Sequence, residues 1–150
     1  MATATMAEIM GEMADQIRAA VVAVTDVDVQ VEPRMVLNPT PPTIDIYPGD
    51  DARDPSSAGF DDVAGGYFFT VRARVSTADA DAGQDLLLAF MDDTDDLCLA
   101  VALLDEPTLN GYASSLDVRS VTGYRLFEHP SGEGAYLGFQ FTTLVLPAES

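Results

Sequence analysis

Met6, Ile9, Met13, Ile17, Ala20, Val21 and Val24 recur three and four positions apart. That spacing gathers side chains on one stripe of a helix, so the chain opens with an amphipathic helix over residues 6–24. Val27, Val29 and Val31 then alternate with Asp28, Gln30 and Glu32, the period of a strand with one buried and one wet face, closed by Pro33. The proline-rich stretch Asn38-Pro39-Thr40-Pro41-Pro42 can continue neither a helix nor a sheet interior, and it leads to a short second strand with Ile44 and Ile46 inward. From Pro48 to Gly66 the chain is dominated by Gly, Asp, Pro, Ser and Ala, which predicts a long mobile loop in which Phe60 stands alone among polar neighbours. Tyr67 to Val75 is the clearest strand, with Phe69, Val71, Ala73 and Val75 on one face and Phe68, Thr70, Arg72 and Arg74 on the other. Cross-strand acids such as Asp45 or Asp117 are the expected partners of the two arginines.

A second helix is predicted over Ala78 to Asp92, capped by Ser76 or Thr77, with Ala82, Leu86, Leu87, Phe90 and Met91 as its buried stripe. The run Asp92-Asp93-Thr94-Asp95-Asp96 ends it, and Thr94 or Asp95 can cap a short, wholly apolar and therefore buried helix over Leu97 to Leu104. Asn110-Gly111 marks a turn. Leu116 to Thr122 and Tyr124 to Glu128 read as two strands parted by Gly123, or as one strand bent at a bulge. The last strand, Ala135 to Leu146, ends in Leu144-Val145-Leu146, apolar on both faces and so in need of cover from a helix or another subunit. The order of elements predicts one α+β domain spanning residues 1–150, with an antiparallel or mixed sheet and its helices packed on one face.

Composition changes the picture at the surface. Asp and Glu number 25 against seven Arg and no Lys, a formal charge of −18, in a chain that is 47% hydrophobic. Acidic chains stay disordered when apolar residues are scarce, and here they suffice for a core, so the acidity is expected on a folded surface. Such a surface repels nucleic acid, whose affinity for proteins comes from Lys and Arg on phosphates. No stretch approaches the length of a membrane span, and residues 1–20 lack the basic start of a secretory signal, so a soluble protein made in the cytoplasm is expected, with no membrane partner. Cys98, within Leu97-Cys98-Leu99, reads as a small buried hydrophobe.

Catalytic chemistry has few candidates. Asp92, Thr94 and Asp96 imitate the first ligands of a calcium loop, but Leu97 stands where its turn glycine belongs and Leu103 where its bidentate glutamate belongs. His129, between Glu128 and Pro130, has no evident nucleophile or second histidine. Gly132-Glu133-Gly134 precedes a strand rather than a phosphate-binding helix and reads as a hairpin turn. No catalytic residue, metal or cofactor is assigned.

Phe68-Phe69-Thr70-Val71-Arg72 leading into Asp79-Ala80-Asp81-Ala82-Gly83-Gln84-Asp85-Leu86-Leu87, then Met91-Asp92-Asp93, a short apolar helix and the closing Tyr136-Leu137-Gly138-Phe139-Gln140-Phe141, resembles the tail terminator (tail completion) proteins of siphophages. The resemblance covers nearly the whole chain. It implies a structural protein, not an enzyme, that forms a hexameric ring at the head-proximal end of the virion tail after assembly in the host cytoplasm. Its partners would be further copies of itself, the tail tube protein and the head–tail connector or stopper, with DNA crossing the lumen without specific binding. The interface residues would be Asp50, Asp51, Arg53, Phe60, Asp61 and Asp62 in the loop, with Arg72 and Arg74 on the sheet. A connector or tube protein is the alternative, and a small carboxylate- and metal-dependent enzyme the more distant one.

Overall fold

The computed structural model describes residues 4–25, 27–37, 41–49, 66–77, 80–128 and 135–148. The first helix, α1 (Met6–Val24), starts from a reciprocal cap: the Thr5 hydroxyl accepts from the Glu8 amide, and the Glu8 carboxylate accepts from the Thr5 amide. Two of the amide donors left over at a helix start are thereby satisfied. Ile9, Met13, Ala14, Ile17 and Val21 form its buried stripe. Val24, expected in that stripe, is exposed at the helix end.

Five strands follow: β1 (Gln30–Glu32), β2 (Thr43–Pro48), β3 (Tyr67–Ser76), β4 (Ala113–Glu128) and β5 (Ala135–Pro147). They form one sheet in the order β1-β2-β3-β5-β4. β1 runs parallel to β2 and all other neighbours are antiparallel, so the fold is α+β with a mixed sheet. β1 is shorter than its alternation suggests because its pairing begins only at Gln30 with Thr43, which leaves Val27 exposed. Between β3 and β4 the chain passes through α2 (Ala80–Met91), α3 (Leu99–Asp105) and a 3-10 turn, and β5 inserts between the two strands this crossover connects.

Register assigns the faces. Ile44, Ile46, Phe69, Val71, Ala73, Phe139, Phe141 and Val145 lie on one face and join α1, Leu87, Phe90, Leu99 and Leu103 in a single core. All three helices cover that face. The short helix α3 is not buried all round: Leu99 and Leu103 face inward against α1 and β4, whereas Val101 and Leu104 are exposed, since a helix lying on a layer hides only one stripe. Its N-cap is Cys98 with no side-chain bond, so neither Thr94 nor Asp95 caps it; the Asp95 carboxylate accepts instead from the Leu97 amide.

β4 is one strand, with register shifts at Ala113/Ser115, Val118/Ser120 and Thr122/Arg125, the bent form of the two readings open from sequence. The turn at Asn110-Gly111 is present, with Leu109, Asn110 and Gly111 all at positive φ. At the two-sided apolar end of β5, Val145 is buried and Leu144 and Leu146 are half-buried, with Gly66 so close that a Cβ on it would stand 2.8 Å from the Leu146 side chain and 2.9 Å from that of Leu144. Gly138 is required, because a Cβ there would overlap the Ala73 carbonyl on the neighbouring strand and press on the Phe127 ring.

Candidate functional site

The face of the sheet turned away from the helices is polar and nonetheless largely buried. Asp45 on β2, fully buried, stands opposite Arg72 on β3, and Arg74 lies two residues further along the same face. Arg72 grips the carboxylate with both prongs of its fork, Nε to Oδ1 at 3.1 Å and Nη2 to Oδ2 at 2.6 Å. Arg74 Nη2 reaches the same Oδ2 at 3.1 Å and donates also to the Val36 carbonyl at 3.0 Å, while the Val36 amide donates to Oδ2 at 2.9 Å. One carboxylate therefore ties two strands and the segment before β2 into a single knot. Bidentate, charge-assisted bonds of this kind are the stronger ones and fix geometry.

Aromatic rings surround the knot. The Arg72 guanidinium lies 5.1 Å from the Tyr47 ring centre and 5.8 Å from that of Phe127, and Arg74 lies 6.0 Å from that of Tyr136. Burial holds Arg74 below the usual arginine range, Asp45 opposes that shift, and Arg72 adds to it. Arg74 Nε is buried without a hydrogen-bond partner among the described residues. Among the described residues, two guanidiniums converge on this one buried carboxylate. The arrangement is built to hold the sheet's polar face closed, and it provides neither a nucleophile nor a proton-transfer pair.

Of the residues expected at an interface, Arg72 and Arg74 are brought together on Asp45, one of the two acids expected as cross-strand partners. Asp117 lies on β4, exposed. Asp50, Asp51, Arg53, Phe60, Asp61 and Asp62 lie outside the described residues, as do His129, Gly132-Glu133-Gly134 and most of the loop expected over 48–66. Among the described residues no three His, Cys, Asp or Glu side chains converge as metal ligands would. In the acidic run, Asp92 Oδ1 accepts from the Thr94 amide at 2.9 Å and its hydroxyl at 2.7 Å, first the amide and then the hydroxyl holding that carboxyl below its usual range. Among the described acids only Asp45 is buried.

Two surface hollows flank the helix layer. One, of about 280 Å³, is apolar and lies between Val75, Ala82 and Leu86, closed by Val27, Pro41 and Pro42. The other, of about 480 Å³, runs between α1 and α3 and is acidic, with Glu12, Asp15, Asp105 and Glu106 on its walls. Gln16 sits in it as a structural clamp: its amide nitrogen donates to the carbonyls of Ala102, Leu103 and Glu106 at 2.9, 3.0 and 3.2 Å, satisfying the end of α3. Sequence gave no sign of that role, since Gln16 is one polar residue among several beside the apolar stripe.

No described helix is long and apolar enough to cross a membrane. Compared with known proteins, the chain matches no protein-family model and no curated protein.

Proposed function

We propose that this chain is a structural subunit of a phage tail, forming a ring at the head-proximal end of the tail tube that ends tube growth and receives the head connector. The observation that carries the reading is where the charge sits: of the described carboxylates only that of Asp45 is buried, and the remainder clothe the molecule. A dispersed acidic exterior lets a polyanion pass through a channel without adhering, because binding to phosphates requires cations, and the exposed Arg18, Arg34, Arg119 and Arg125 are outnumbered by surface carboxylates. The α+β order of elements agrees with the resemblance carried by residues 68–93 and 136–141. On this reading the knot at Asp45 stiffens each subunit, and the ring is hexameric, with the tube protein on one side and the connector on the other.

The test is electron microscopy of particles produced with this gene interrupted. Overlong tails without heads are the expected result. Tails of normal length beside unjoined heads would move the subunit to the connector, and intact virions would overturn the assembly role.

A further inference from the structure

The two edges of the sheet are finished differently. β1 is three residues long, and its outward Val31 carbonyl is taken by Arg18 at 2.6 Å. β4 is sixteen residues long, paired along one side by β5 and by no described strand along the other. Exposed edges are ordinarily guarded by charge, Pro or bulges; β4 has charges and bulges but no Pro, and between them it exposes Val121, Tyr124 and Leu126, at 47%, 41% and 60%.

That edge is complementary to itself. Laid antiparallel on a second copy about a two-fold axis through Val121, positions equally distant from Val121 meet: Asp117 with Arg125, Leu116 with Leu126, Val118 with Tyr124, and Val121 with its counterpart. The faces agree. Leu116, Val118, Val121 and Leu126 stand opposite Val145, Thr143, Phe141 and Leu137 on the helix-covered face, and Tyr124 is placed there by its hydroxyl reaching Gln84 of α2 at 3.4 Å. Asp117 and Arg125 stand opposite Leu144 and Gly138 on the other face. The shifts at Val118/Ser120 and Thr122/Arg125 fall on either side of Val121, so an irregularity in one copy meets one in the other and the pairing stays in step. Arg125 forms no ion pair among the described residues; its guanidinium lies over the Phe127 ring at 4.1 Å. In a chain of charge −18, a free cation aligned with an exposed acid is a selective match.

We propose that β4 is a self-docking edge, on which two copies of this chain pair antiparallel around Val121 and merge their sheets, the Asp117 of each against the partner's Arg125. The contact is isologous and closes at two copies, unlike a head-to-tail contact that propagates into a ring. It stands independently of the tail reading.

Sedimentation of the full chain tests it, with disulfide trapping to fix the register. The expected mass at raised concentration is twice the 16.0 kDa of one chain. Asp117→Arg or Arg125→Asp alone places like charges opposite twice over and weakens the dimer about tenfold, and the two together restore it. Val121→Cys, at an exposed position, crosslinks to its own counterpart on oxidation, whereas Leu126→Cys, which faces Leu116, does not; Cys98 is 3% exposed and out of reach. A single-chain mass up to the solubility limit, absence of rescue in the double variant, or crosslinking through Leu126→Cys in place of Val121→Cys would each overturn the proposal.

Discussion

Asp45 is the single residue on which most of the polar face depends. Its carboxylate answers four donors, and its removal strands Arg74, 4% exposed, with a charge that burial already disfavours. Breaking a buried ionic knot by deleting one partner typically costs about 3–5 kcal/mol, so Asp45→Ala is expected to lower the urea midpoint by an equivalent amount. Adding Arg74→Leu should recover part of that loss, because the stranded charge goes with it. Asp92 shows the opposite case of a carboxylate held at the surface. Its folded pKa lies below the unfolded one, so the bonds from Thr94 contribute above the unfolded value and are lost as pH falls through the folded value. A titration of the Asp92 carboxyl followed by NMR should show a midpoint under the ordinary aspartate value, and Thr94→Val should move it partway back, since the amide bond survives and the hydroxyl bond does not.

At the scale of elements, periodicity was legible wherever one face meets the core. The stripe of α1 and the alternation of β2, β3 and β5 follow from burial on a single side, and Asp45 was readable as a partner for Arg72 and Arg74 because all three fall on the other side. What failed was the assumption that an apolar residue in an element must be covered. Val24 obeys the pattern but stands at the helix end, and Val101 and Leu104 lie on the stripe of α3 that faces away from the layer. The parallel direction of β1 and the insertion of β5 between β3 and β4 depend on paths taken by connecting segments, and strand patterns are silent on those. The Thr5 and Glu8 cap, by contrast, is written in the sequence as Thr-x-x-Glu. Gln16 could be identified only by seeing what it touches, and it carries a prediction: Gln16→Ala takes the amide donor from the Ala102 and Leu103 carbonyls, while the Glu106 carbonyl keeps its bond from the Leu109 amide. That should cost about 1–2 kcal/mol, with hydrogen exchange accelerated in α3 more than in the sheet.

The whole molecule carries a charge of −18, and how that charge is distributed decides the response to salt. Among the described residues, attraction is confined to two places. Arg18 and Asp15 form an exposed pair of the sort that contributes at most about 1 kcal/mol, and the Asp45 knot is buried, where added ions screen little. Repulsion is spread over the remaining described carboxylates, which stand at or near the surface and are open to screening. Raising sodium chloride shortens the Debye length from about 30 Å at 0.01 M to about 10 Å at 0.1 M, which removes repulsion between separated acids while leaving the buried knot in place. The thermal midpoint should therefore climb steeply over that range and flatten above it, in Asp15→Asn as in the parent chain. A midpoint that fell with salt would mean that exposed pairs, rather than the buried one, hold the acidic shell together. The same measurement made on Asp45→Ala separates the two contributions: its curve should run parallel to the parent's and lower, because the interaction it has lost is one that salt does not reach.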